Sequence, residues 1–213
     1  MLPSKATLSG GALTLTATRL TTSTENSPST PNAPIWYHSG AVHATTPPSS
    51  STTSSPSTTS KANSAPRPAK ASGPPSGPPA STPTGPPESD ILEYVGDSTN
   101  LFNTWTKAAG ENDPAERTPL PVTNPGAWHR YRLWMEKDGD DVLLDYYFDG
   151  QWQATHRGVG WAGIPQYLII NLQMGSWASG VEPGDPEWPQ QPGPTGDTTF
   201  QARNVWFGRT CNW

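Results

Sequence analysis

Apolar and polar residues alternate with a period of two through Ala12-Leu13-Thr14-Leu15-Thr16-Ala17, the pattern of a strand with one buried face. Gly10-Gly11, just before it, is a turn signal. A second short strand is expected through Ile35-Trp36-Tyr37-His38-Ser39-Gly40-Ala41-Val42. Further along, Asp90-Ile91-Leu92, the set His129, Tyr131 and Leu133, Val142-Leu143-Leu144 leading into Tyr146-Tyr147-Phe148, Tyr167-Leu168-Ile169-Ile170, and Val205-Trp206-Phe207 are short and β-rich. Clusters of Gly, Pro and Asp separate them. Asp149-Gly150, between Phe148 and Trp152, predicts a tight hairpin, because a type I′ turn needs residues that tolerate positive φ. No segment keeps a helical period. The expected class is all-β, an antiparallel β-sandwich of two packed sheets.

Residues 45–87 break this pattern. They are built from Ser, Thr, Pro, Ala, Gly, Lys, Arg and Asn, without an aromatic or an acid. Such a stretch has too little apolar area to offset the entropy of ordering, so it is expected to be disordered or polyproline-like and to pack against nothing. The chain therefore divides into N-terminal strands at 1–44, this tract at 45–87, and a main globular part at 88–213. The split explains a composition that points two ways: only 32% hydrophobic residues and 26 prolines, yet ten tryptophans.

The remaining bulk properties mainly exclude. A net charge of −5 without a basic cluster argues against nucleic acid and suits a neutral ligand. No apolar run reaches the length of a membrane span, and Met1-Leu2-Pro3-Ser4-Lys5 lacks the apolar core of a secretory signal. The single cysteine, Cys211, has no internal disulfide partner and no identifiable activating base.

The chemistry concentrates in Glu88-Ser89-Asp90-Ile91-Leu92-Glu93. In a strand, Glu88 and Asp90 share a face and Glu93 falls on the other. One β-bulge between Asp90 and Glu93 returns it to the first side, with Ser89, Ile91 and Tyr94 turned inward. Three acids on one face repel one another, so the arrangement calls for a reason. Retaining glycoside hydrolysis supplies one, since it needs a carboxylate nucleophile and a carboxylic acid close together, with neighbouring charge keeping the acid protonated.

The pattern E-x-D-x-x-E followed by Tyr94 and Gly96 resembles the signature of glycoside hydrolase family 16 in its bulged, laminarinase-like form. Trp128-His129-Arg130-Tyr131-Arg132-Leu133 resembles the family's F-H-x-Y-x-V strand, Tyr146-Tyr147-Phe148-Asp149-Gly150 its F-Y-V-D-G hairpin, and Tyr167 to Trp177 its Y-L-I-x-N-L-A-V-G-G-x-W strand. Upstream, Leu13-Thr14-Leu15-Thr16-Ala17 and Tyr37-His38-Ser39-Gly40 resemble L-x-L-x-A and Y-x-S-G. The resemblance implies a jelly-roll sandwich of the concanavalin A type. It further implies Glu88 as nucleophile, Asp90 as assisting acid and Glu93 as general acid/base. The implied activity is endo-hydrolysis of β-1,3- or β-1,3-1,4-glucan by a monomeric, extracellular enzyme. No cofactor is implied beyond the structural calcium many members hold, for which no ligands can be assigned here. Met135 and Gln173 depart from the family pattern, as does the Pro- and Gly-rich loop at 181–198 around Trp188. These departures bear on substrate preference.

A sugar ring stacks on aromatic side chains, so Trp105 and Trp177 are candidate binding residues, with Asn171 and Gln173 as hydrogen-bonding partners on one strand face. Trp128, Trp134 and Trp206 are read as core packing, and His129 as structural.

The family's Y-G-x-x-E-x-R and G-L-W-P-A-F-W motifs are absent, and the tract at 45–87 stands in their place. Lys70-Ala71-Ser72-Gly73-Pro74-Pro75-Ser76-Gly77 can be encoded as AAG GCC TCT GGC CCG CCT TCT GGC. Read from the third base, this string gives Gly-Leu-Trp-Pro-Ala-Phe-Trp, the second missing motif in full. The tract is therefore read as a frame-shifted or wrongly joined segment of family sequence, leaving the sandwich incomplete. Two other functions compete: a non-catalytic carbohydrate-binding sandwich, which has no need of three acids, and a Ser/Thr/Pro-rich cell-wall protein, which leaves the flanking strands unexplained.

Overall fold

The computed structural model describes residues 1–26, 34–44, 55–63, 69–72, 87–105, 116–164, 166, 168–174 and 194–208. Among them the only helical element is one 3-10 turn, Pro3–Lys5. The strands are β1 (Ala6–Ser9), β2 (Ala12–Arg19), β3 (Tyr37–His38), β4 (Ala41–His43), β5 (Ser55–Asn63), β6 (Ala69–Ser72) and β7 (Glu88–Glu93). They continue as β8 (Thr99–Trp105), β9 (Glu116–Pro121), β10 (His129–Asp138), β11 (Asp141–Phe148), β12 (Gln151–Gly158), β13 (Ile169–Leu172) and β14 (Thr198–Gly208).

Every registered pairing is antiparallel. An eight-stranded sheet runs β1-β2-β14-β5-β10-β11-β12, with β3 against β2, and a six-stranded sheet runs β4-β13-β6-β7-β8-β9. The strand expected through Ile35 to Val42 breaks at Ser39-Gly40, so that β3 joins the first sheet and β4 the second. The Asp149-Gly150 turn forms as the sequence predicts, with φ of 48° and 82° at its two residues.

Period-two alternation builds the core. Leu15 and Ala17 of β2, Tyr131 and Leu133 of β10, Leu144 and Tyr146 of β11, and Phe200 and Ala202 of β14 are buried on one sheet. They meet Ile91, Phe102, Ile170 and Leu172 of the other. The tryptophans read as core are not there. Trp206 is 42% exposed, and Trp128 and Trp134 are half-buried on outward positions. Trp128 precedes β10; Trp134 and Trp206 ride strands whose inward phase is already taken, Trp134 following Leu133 and Trp206 lying past the register shift after Arg203. Among the described residues the buried tryptophan is Trp161, packed over Gly158, where a Cβ would collide with its ring.

The tract also departs from expectation. Ser55–Asn63 lies between β14 and β10, and Ala69–Ser72 between β13 and β7, so parts of 45–87 complete both sheets and neither shows the expected gap. The reason is that sheet ladders bond through the backbone. Residues without apolar side chains supply N–H and C=O groups as well as valine does. β5 carries one proline, Pro56, near its start, and β6 none, so the ladder is not interrupted centrally. The rest of the tract lies outside the described residues.

Candidate active site

β7 sits between β6 and β8, and its register shows how the acids share a face. On the β6 side, Leu92 pairs with Ala71 and Asp90 with Ser72, so Ile91 is one extra residue. This is the bulge expected between Asp90 and Glu93. Ile91 and Leu92 are both buried, and Tyr94 turns inward to place its hydroxyl 2.7 Å from that of Tyr131.

On the β8 side, Glu88 pairs with Trp105 and Asp90 with Asn103. Asn103 binds the acids together: its Nδ2 donates to Asp90 Oδ2 at 3.3 Å and to Glu93 Oε2 at 2.5 Å. The Trp105 indole donates to Asp90 Oδ2 at 3.0 Å. Arg117 of β9 donates through Nε to Asn103 Oδ1 at 3.1 Å, which sets which end of the amide faces the acids. Asp90 is 0% and Glu93 2% exposed, while Glu88 is half-buried. Burial opposes ionisation of the two inner acids and the donated hydrogen bonds favour it.

A polar seam lies behind this face. The Tyr146 hydroxyl lies 2.7 Å from Ser89 Oγ and 2.8 Å from Thr104 Oγ1, and donates to the Asn103 carbonyl at 3.3 Å. Thr104 continues to His156 Nδ1 and Thr118 to His156 Nε2, each at 2.9 Å. Burial pushes the Tyr146 phenol above its ordinary value, so it stays a donor. Burial likewise raises Tyr94 to about 12. For His156, burial lowers the imidazole, with Glu116 pulling weakly the other way. The seam ties β7, β8 and β9 to β11 and β12, which fixes the height of the acid strand over the core.

Of the residues singled out from sequence, Glu88, Asp90, Glu93 and Trp105 come together. Trp105 has its indole N–H engaged with Asp90, a role beyond stacking. Asn171 pairs with Lys70, which pairs with Glu93, so it lies on the same row two strands away, about 10 Å. Gln173 follows the end of β13 and is half-buried. Trp177 lies outside the described residues. His129 is structural: its Nδ1 lies 2.8 Å from Asp149 Oδ2, and Asp149 also accepts from the Arg130 backbone N–H. Among the described residues no group of three or more His, Cys, Asp or Glu side chains could hold a metal ion. Sequence reasoning missed Asn103, Arg117 and His156. The available signal was an asparagine two residues before Trp105, in a stretch too polar to read as a strand.

An antiparallel sandwich with three clustered carboxyl groups and an indole on the outer face of one sheet has the architecture of a polysaccharide hydrolase. No family model matches the sequence. The chain is 32% identical over 189 residues to a galactan endo-β-1,3-galactanase of Flammulina velutipes, covering 87% of this chain and 68% of that protein. Among solved structures it resembles a laminarinase from Flavobacterium sp. UMI-01, with a TM-score of 0.61 and 15% identity over 96% of this chain and 83% of that one. A Bacillus licheniformis β-glucanase gives a TM-score of 0.60 and 16% identity over 94% and 80%. The chain belongs to glycoside hydrolase family 16, whose members hydrolyse O-glycosyl bonds.

Proposed function

We propose that this protein is an endo-acting β-1,3-glycanase working by double displacement, with β-1,3-galactan as its substrate. The observation that carries the reading is the bulged strand: with Ile91 as the extra residue, Asp90 and Glu93 share one amide donor. Galactan is favoured by the relationship to the Flammulina galactanase. The glucan expected from the motif alone is the second reading.

Glu88 attacks the anomeric carbon while Glu93 protonates the departing oxygen. A water activated by Glu93 then releases the sugar from Glu88 with retained configuration. Asp90, beside both on the strand, relays a proton to Glu88 as its charge changes. Asn103 and Trp105 hold Asp90 in place. Aromatic Trp105, with Asn171, Gln173 and Trp177, provides the stacking and hydrogen-bonding surface for the polymer.

The test is Glu88→Ala, assayed on an activated aryl β-glycoside. Hydrolysis should vanish, and added azide should restore turnover and give a glycosyl azide of inverted configuration. Full activity without azide would overturn the assignment. Parallel assays on β-1,3-galactan, β-1,3-glucan and β-1,3-1,4-glucan decide the polymer.

A further inference from the structure

β7 and β8 fall out of step beside Glu93. Their ladder pairs Asp90 with Asn103, and it resumes at a single bridge between Tyr94 and Asn100. Ile91, Leu92 and Glu93 on β7 therefore face Leu101 and Phe102 on β8, so the strand carries one residue too many on this side as well as against β6. Three residues set against two cannot all find regular ladder partners. At Glu93 a side chain fills the gap: the backbone N–H donates to Asn100 Oδ1 at 3.0 Å.

Asn100 is 0% exposed, on the inward phase of β8 that Phe102 and Thr104 share. Its oxygen must face the Glu93 N–H, because the amide nitrogen cannot accept. That orientation leaves Nδ2 buried with no hydrogen-bond partner. A position filled for core stability alone would avoid such an orphan donor. The turn before it fixes where the residue stands. Gly96 takes a φ of 77°, the Thr99 N–H donates to Asp97 Oδ1 at 2.7 Å, and the Tyr94–Asn100 bridge closes the loop. Further along β8, Asn103 donates to Glu93 Oε2. β8 thus grips Glu93 twice, by the carboxyl through Asn103 and by the backbone through Asn100.

We infer that Asn100 is a positioning residue for Glu93. Its amide oxygen stands in for a ladder carbonyl, fixes the bulge, and so sets where the Glu93 carboxyl meets Asp90 and Asn103. The inference rests on the reading of Glu93 as the proton donor. Asn100 is sealed from solvent and cannot touch the polymer, so its effect belongs to the chemical step. A reacting group displaced by about 1 Å loses rate by up to about a hundredfold.

Asn100→Leu keeps the branched shape and removes both polar atoms. It exchanges one unmet buried donor, Nδ2, for another, the Glu93 N–H, so the melting temperature should change little. On β-1,3-galactan, kcat should fall about tenfold or more while KM stays within about twofold. A kcat within about threefold of the parent, or a loss carried by KM, overturns the proposal. Asn100→Leu combined with Asn103→Ala should lose little beyond Asn103→Ala alone, because both act on one carboxyl. Losses that multiply in full overturn the shared role. Hydrogen exchange on the 15N-labelled parent needs no variant: the Glu93 amide should exchange about a hundredfold slower than that of exposed Gly139. A Glu93 amide exchanging as fast as Gly139 overturns the bond itself. A parent that cleaves none of the polymers overturns the hydrolase reading, and the positioning role falls with it. A parent that cleaves them while any of these results goes the wrong way overturns the positioning role alone.

Discussion

Replacing Asn103 by alanine tests how the site is held. The amide donates to Asp90 and Glu93 and accepts from Arg117, and the residue is buried. The substitution removes donors that both inner acids share and leaves the Arg117 guanidinium without that acceptor. A hydrogen bond to a charged group contributes about 1.5–3 kcal/mol, so loss at the reacting pair should lower kcat about tenfold to hundredfold. KM should hardly move, because Asn103 touches the acids rather than the polymer. The pH profile carries the sharper signature. Donated N–H bonds favour ionised carboxyl groups, so their removal should keep the proton-donating Glu93 protonated to higher pH and move the alkaline limb of kcat upward. Initial rates on β-1,3-galactan across a pH series, at a temperature where thermal melts show the variant folded, give all three quantities. Arg117→Met, which frees the amide without removing it, should show the same shift in weaker form. A variant with kcat within threefold of the parent and an unmoved alkaline limb refutes the positioning role.

Three further outcomes are expected. His156, lowered by burial, binds fewer protons folded than unfolded; stability should therefore hold above an unfolded value of about 6.5 and decline as pH falls toward the folded one. Urea midpoints at about pH 7.5 and 5.5 should differ, and by less in His156→Gln; equal slopes in both proteins refute this. Gly158→Ala forces a Cβ into the Trp161 ring and should cost about 1–3 kcal/mol, read as a lowered melting temperature; an unchanged melt refutes the packing. Finally, a chain with 70–77 read in the alternative frame supplies Leu, Trp and Phe in and after β6, the strand that pairs with β7; it should melt higher and cleave faster than the chain as written, and equal stability and rate would show the tract to be a tolerated segment.

What could be read from the sequence followed the balance between side-chain and backbone forces. β2, the β11–β12 hairpin and the acid strand with its bulge were legible, because alternation or positive φ marks their side chains. β8 was not, since its inward residues are Asn100, Phe102 and Thr104, only one of them apolar. β9 was hidden by Pro119 and Pro121, which a sheet edge tolerates and a central strand does not. β5 and β6 show the opposite limit: their backbones close both sheets although their composition gives no sign of it. At the site, the acids stood out as charged residues in a strand. Asn103 and Arg117 gained their meaning only through cross-strand register, which pairs residues 13 positions apart in Asp90 and Asn103.

β14 pairs on one side with β2 and on the other with β5. During synthesis the chain emerges from its N-terminal end, so β1 and β2 must wait for residues 198–208 before their sheet is joined to β5 and β10. Most of this sandwich's contacts are between residues distant in sequence, and such topologies close slowly. Until β14 arrives, β2 and β5 each present an open ladder edge to other chains. The interval before its insertion is the period in which the nascent protein is most exposed to aggregation.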